Sequence, residues 1–217
     1  KDLRQHCAAV VQHCLGKVRL NRGLYLTGKQ GTGKDLILAT IKRLVPLGYT
    51  SDVDMQTLMG DFFSPANYAF LHVQDAASLP QKVYEKKKKY ANATPVTMNI
   101  KNKPHVRIIP CVTFAFTSNQ LNSTIDSGDR RITIVEGPTF NEDSNLLAEK
   151  NMEFAPLHAM LFNASSIVSA NPASPESQKI RRTYWQYWND VDLSDYNFSV
   201  GPQNDPVKMD LANDLRN

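Results

Sequence analysis

Gly28-Lys29-Gln30-Gly31-Thr32-Gly33-Lys34-Asp35 is the stretch of this chain best equipped for chemistry. Its spacing, G-x-x-x-x-G-K, is that of a phosphate-binding loop. Successive backbone N–H groups and a helix N-terminus surround the phosphates, and the lysine reaches the terminal ones. In that pattern the next residue is Ser or Thr, whose hydroxyl ligates Mg²⁺. Here it is Asp35. A glycine-rich turn that binds nothing would lack the context found on either side. An apolar run, Gly23-Leu24-Tyr25-Leu26-Thr27, precedes the loop, and a helical one, Leu36-Ile37-Leu38-Ala39-Thr40-Ile41, follows it.

A phosphate cradle alone implies nucleotide binding. Hydrolysis also needs a carboxylate that supports a metal, a polar group that aligns water, and a positive charge for the transition state. Asp75 ends an apolar run 41 residues after Lys34, Asn119 ends another, and Arg130 and Arg131 follow eleven and twelve residues later. Singly, such residues are as readily caps and solvated surface groups. Their order after the glycine loop is the stronger signal.

The elements that must carry these residues follow from periodicity. Leu3, Cys7, Val10, Val11, Cys14 and Leu15 recur at helical spacing after Asp2, predicting a helix over residues 2–16. The helix after the loop must end near Val45, before Pro46 and Gly48, and Val53 to Phe62 reads as a second short helix. Residues 68–75, 112–119 and 132–135 are short apolar runs of the kind buried in parallel sheets. Residues 96–100 and 106–109 alternate as a β-hairpin whose tip, Lys101-Asn102-Lys103-Pro104-His105, is basic. Between them a helix from about Pro80 ends in four lysines, 86–89, a pattern usual for a solvated helix end and open to nucleic-acid contact. Past Gly137 the pattern weakens to short helices, a linker over 171–175 and a last helix from Gln178 to Trp188. The aromatics there, Tyr184, Trp185, Tyr187 and Trp188, suit a core or subunit contact better than base stacking. Strands alternating with helices predict an α/β fold with a mostly parallel central sheet. Ligands of such sheets gather at the strand C-terminal edge, where Gly28, Asp75 and Asn119 fall.

At 217 residues the chain holds one α/β domain with a small appendage, and it reads as part of a larger protein. A net charge of +4 permits an anionic partner without requiring one. Cys7, Cys14 and Cys111 form no metal-ligand spacing and read as buried reduced thiols. The five histidines show none either, and His72, inside a strand, reads as a satisfied core group. No apolar run approaches the ~20 residues of a membrane span and no signal peptide is visible. The expectation is a cytoplasmic or nuclear protein of a host or infected cell, neither secreted nor membrane-bound.

Glycine loop, acidic strand end, basic hairpin, strand ending in Asn, then arginines is the motif order of the superfamily 3 helicases, AAA+ P-loop ATPases of small DNA viruses, phages and mobile elements. Gly28 to Asp35 resembles that family's Walker A, Phe70 to Asp75 its Walker B, and Thr117-Ser118-Asn119 its motif C with sensor 1. Asp129-Arg130-Arg131-Ile132 resembles the arginine-finger segment, in the form found in phage and viral primase-helicases. The likeness covers residues 20–137, with an N-terminal helix at 1–19 and a lid-like or interaction region, small and mainly helical, at 138–217. It implies that ATP and Mg²⁺ are cofactors, with residues 28–35 binding nucleotide and Lys34 on its β and γ phosphates. Asp35 and Asp75 would support the metal, Asn119 would position water, and Arg130, or else Arg131, would be donated to a neighbour's site. It implies a homo-oligomeric ring, usually a hexamer, and Lys101, Lys103 and His105 gripping single-stranded DNA. A primase or polymerase domain in the same chain would be usual. The implied function is an ATP-dependent DNA helicase or translocase. A hydrolysis-impaired assembly module and an AAA+ ATPase acting on protein are the alternatives.

Two positions depart from the family, and both concern the metal: Asp35 replaces the hydroxyl, and Gln74 replaces the first acid of the Walker B pair. A bare carboxylate about 4 Å from a phosphate charge costs roughly 4 kcal/mol at an effective dielectric near 20, about a thousandfold in affinity. Asp35 is therefore tolerable with Mg²⁺ between, or turned away. In the first case the carboxylate missing at Gln74 is supplied from Asp35 across the same ion.

Overall fold

The computed structural model describes residues 2–30, 34–44, 50–60, 63–76, 80–91, 94–98, 102, 104–119, 129, 131–136, 163–164, 166–196 and 198. Helix α1 runs Asp2–Cys14 and stops sooner than its apolar pattern, because Gly16 takes a φ of 74°. The Gly16 and Lys17 amides then bond back to the carbonyls of His13 and Gln12, closing the last turn. Strand β1 is Gly23–Thr27, α2 Lys34–Leu44, β2 Thr50–Val53, α3 Met55–Met59 and β3 Phe70–Val73. Next come α4 at Gln81–Ala91, β4 at Val96–Met98, β5 at Val106–Ile108, β6 at Thr113–Ser118, β7 at Ile132–Glu136 and α5 at Pro175–Asn189.

One expectation fails at β2. Thr50-Ser51-Asp52-Val53 is too polar to announce a strand, yet it pairs with β3 along the sheet edge, where one flank needs no partner. The predicted helix from Val53 to Phe62 shrinks to α3, whose first turn is capped by Asp54 accepting from the Thr57 amide. The expectation of three buried thiols also fails at one position: Cys7 and Cys14 are buried, and Cys111, just before β6, is exposed.

The five-stranded sheet is parallel throughout, in the order β2-β3-β6-β1-β7, and β4 and β5 form a separate antiparallel hairpin. Alternate side chains of the large sheet enter two cores. Tyr25, Leu71, Phe114, Phe116 and Ile134 face Leu58 of α3 and Val83, Tyr84 and Tyr90 of α4. Leu24, Leu26, Phe70 and Ala115 face Val10 and Val11 of α1 and Leu38 and Ile41 of α2. Helix α5 lies over α1 and α2, and Tyr196 beyond it enters the same core, so the segment after α5 belongs to this helical layer. The result is an α/β fold of three layers.

The sheet order also fixes where a ligand can sit. The connection from β1 to β2 passes one way through α2, and those from β2 to β3 and β3 to β6 pass the other way on the α3 and α4 face. Connections that leave on opposite faces open a crevice at the C-terminal ends of β1 and β6. No helix among the described residues is long and apolar enough to cross a membrane.

Candidate nucleotide site

β1 delivers the chain to that crevice and Gly28 turns it, with a φ of 140° open to glycine alone. Lys29 and Gln30 are exposed, and Gly31, Thr32 and Gly33 lie outside the described residues. Lys34 opens α2 and folds back beneath the loop, 8% exposed. Its ammonium donates to the carbonyls of Gly28 at 2.7 Å and Lys29 at 2.8 Å, and to the Asn119 side-chain oxygen at 3.3 Å. Asn119 stands at the end of β6, so the lysine of the loop and the polar residue ending the neighbouring strand share one hydrogen-bonded cluster.

Asp75 ends β3 on the far side of β6, exposed and with a left-handed φ of 48°. Asp is among the few L-residues that accept this conformation, which costs of order 1–3 kcal/mol. The Ala76 amide that follows is tied to the Thr117 carbonyl at 2.8 Å, so the turn is fixed against β6. Gly28, Asp75 and Asn119 thus stand along one edge of three adjacent strands.

Asp35 and Gln74 have partners of their own. The Asp35 carboxylate lies 3.6 Å from Nε2 of His72, a fully buried ring in β3. His72 Nδ1 lies 2.8 Å from the Asp52 carboxylate of β2 and 3.0 Å from Nζ of Lys42. Its Nε2 meets the Thr117 hydroxyl at 2.9 Å. Lys42 of α2 pairs with Asp52, and Gln74 donates to the same carboxylate at 3.3 Å. Hydrogen bonding from His72, aided by Lys42, holds the Asp52 carboxyl down at about 2 against partial burial. His72 is the satisfied core group its strand position predicts.

The arginine segment lies elsewhere. The Gly23 amide bonds to the Arg131 carbonyl at 2.8 Å, which places Arg131 at the N-terminal end of β1 and β7, opposite the loop. Arg130 lies outside the described residues. Asp129 is buried, accepts from the Arg131 amide at 2.8 Å and pairs with Lys87 of α4 at 2.9 Å, both side chains 1% exposed. Reading residues 86–89 as a solvated face is therefore corrected. Lys87 is interior, Lys86 donates to the carbonyls of Leu58 and Gly60, and Lys88 lies over the Tyr84 ring. Of the hairpin tip, Lys101 and Lys103 lie outside the described residues. Asn102 turns with a φ of 60°, and His105 is exposed beside Val106 at the start of β5.

The donor set fits a nucleoside triphosphate: a buried ammonium beneath a glycine turn, held by uncharged oxygens, at the start of a helix. For the metal, no group of three or more His, Cys, Asp and Glu converges among the described residues. Mg²⁺ takes one or two carboxylates and completes its shell with phosphates and water, and Asp75 is an exposed acid on the same sheet edge. Asp52 escaped the sequence reading, as did the pairing of Lys87 with Asp129. Asp52 sits in the missed strand, and an ion pair between residues 42 apart leaves no periodic trace. One signal was present, since four consecutive lysines sweep most of the way round a helix and one of them must face the sheet.

A family of unknown function (DUF5906) matches residues 26–131, from within β1 to the arginine segment. None of the curated proteins matches. Among solved structures, the A form apo structure of the NrS-1 C-terminal region is similar at a TM-score of 0.62 and 17% identity, over 97% of this chain. Another apo structure of that region, residues 305–718, gives 0.63 and 16% over 96%. This chain spans 46% of each, so the likeness is one of fold, and this chain corresponds to less than half of that region.

Proposed function

We propose that the chain is the ATPase core of a superfamily 3-like AAA+ helicase or translocase. It would act on DNA in replication of a virus, phage or mobile element. One observation carries the reading: the Lys34 ammonium touches both the loop carbonyls and Asn119 at the crevice of a parallel sheet. Bound ATP with Mg²⁺ supplies the phosphoryl group and the charge that assists its transfer. Lys34 binds the terminal phosphates, Asn119 orients the attacking water, and Asp75 supports the metal or that water. The placement of Asp35 against His72 suits its turned-away form, which spares the phosphates the repulsion of a bare carboxylate.

The position of Arg131 supports an inter-subunit site. It lies the length of β1 from the loop, roughly 16 Å at about 3.3 Å per residue, beyond the reach of its side chain. An arginine there would serve a phosphate in a neighbouring copy, as in a ring of six. The hairpin of β4 and β5, with Lys101, Lys103 and His105 at its tip, would track single-stranded DNA through phosphate contacts without reading sequence.

The pairing of Gln74 with Asp52 favours a second reading, a module that binds nucleotide without hydrolysing it, because the first Walker B acid is absent and its substitute is engaged elsewhere. Steady-state ATP turnover with and without single-stranded DNA separates the two. The motor shows Mg²⁺-dependent turnover raised by DNA, whereas the module binds ATP and turns over none.

A further inference from the structure

Lys87 and Asp129 form a buried ion pair that none of the proposed catalytic steps uses. Taking two charges out of water is expensive, and apolar residues of similar size usually hold a fold together as well or better. A pair kept in such a place calls for a reason beyond packing.

The elements it joins supply one. Helix α4 follows the Asp75 turn at the C-terminal edge of the sheet. Its eleven residues, about 16 Å at 1.5 Å per residue, run back along the sheet toward the opposite edge. Val83, Tyr84 and Tyr90 fix it on the sheet face. Two turns along it, Lys87 holds one oxygen of Asp129, while the other oxygen caps the Arg131 amide. The backbone at Asp129 and Arg131 is thereby anchored to the helix that follows the Asp75 turn in the chain. The Gly23 amide on the Arg131 carbonyl is a second anchor, from β1, which leads to the phosphate loop.

We infer that Lys87 and Asp129 are positioning residues that fix the arginine segment and link it, through α4, to the Asp75 end of the same subunit's nucleotide site. A subunit's own nucleotide state would then bear on the arginine it presents to its neighbour. The inference deepens the motor reading and rests on it. Burial pulls Lys87 down to about 8, with the Asp129 charge opposing, and Lys87 in turn helps keep Asp129 ionised despite burial. Each charge thus depends on the other.

The test is ATP turnover by the full chain, wild type against Lys87→Met/Asp129→Asn, with ATP affinity and thermal unfolding measured on the same samples. The Asn oxygen can still cap Arg131 while both charges are gone. The expected result is unfolding and ATP affinity close to wild type with kcat down about tenfold or more, and little further loss when Arg130→Ala or Arg131→Ala is added. A kcat within about twofold of wild type, or an arginine loss that adds in full, overturns the inference. If the double variant fails to fold, Lys87→Gln/Asp129→Asn, whose two neutral amides can still hydrogen-bond, is read by the same two outcomes. Wild-type turnover that is absent, or indifferent to Lys34→Ala, overturns the motor reading and this inference with it. Turnover that needs Lys34 but ignores the ion pair overturns this inference alone.

Discussion

At the scale of single residues, two aspartates at the candidate site have different surroundings. Asp75 stands exposed at a strand end in a left-handed turn, and Asp35 lies against the His72 ring. Asp75→Ala should abolish Mg²⁺-dependent turnover, and Asp35→Ala should leave it within a few-fold and ATP binding no weaker. Steady-state kinetics with an ATP titration checks both. If Asp35→Ala is inactive and Asp35→Ser with Gln74→Asp restores activity, the carboxylate has been relocated across the metal and the His72 contact is secondary. Gly23 offers a purely structural test. A Cβ there would stand 2.9 Å from the Phe114 carbonyl, in the backbone of the adjacent strand. Gly23→Ala should cost about 1–3 kcal/mol, seen as a lowered denaturant midpoint with an unchanged slope.

At the scale of elements, α1 and α5 show how the end of the chain is tied to its beginning. Ser174 caps α5 by accepting from the Ser177 amide at 3.1 Å, with Pro175 in the first turn, so Ser174→Ala should cost about 1 kcal/mol in thermal unfolding. His6 of α1 is fully buried and bonded to the Tyr196 hydroxyl at 2.6 Å. Burial, with Arg22 nearby, pulls its pKa from 6.5 to about 3. The folded chain therefore keeps His6 neutral where the unfolded chain takes up a proton, and protonation favours unfolding. Stability should fall as pH drops from about 6.5 toward 3, by about 1.4 kcal/mol per unit from this site. Urea unfolding across that range should show the slope flattened in His6→Gln.

Elements were legible where burial leaves a pattern. The central strands β1, β3 and β6 are apolar on both faces and read directly, as did the pairing of β4 with β5. β2 did not, because an edge strand satisfies only half its backbone from the sheet and tolerates Thr, Ser and Asp. Of the α5 aromatics, Tyr184 and Trp188 pack toward α1 as expected, whereas Tyr187 is 51% exposed.

For the whole molecule, the sheet order does what the motif list could not. It puts the loop of Lys34, the turn of Asp75 and Asn119 on one edge, and Arg131 on the other. Local spacing announced the first three, since each ends an apolar run. The long-range partners, His72 with Asp52 and Lys87 with Asp129, depend on which strands and helices become neighbours and are absent from any local pattern. A single copy holds Lys34 and Arg131 at opposite ends of β1, so on the proposed reading only assembly would bring that arginine to a phosphate.

The central claim is that Lys34 and Asn119 form an ATP site that drives movement on DNA. The most direct measurement is the steady-state rate of ATP hydrolysis by the full chain with Mg²⁺, titrated with single-stranded DNA, for wild type and Lys34→Ala. The expected result is a wild-type rate that rises with DNA and falls about a hundredfold or more in Lys34→Ala. A wild-type rate no greater than that of Lys34→Ala, or one indifferent to DNA, would contradict it.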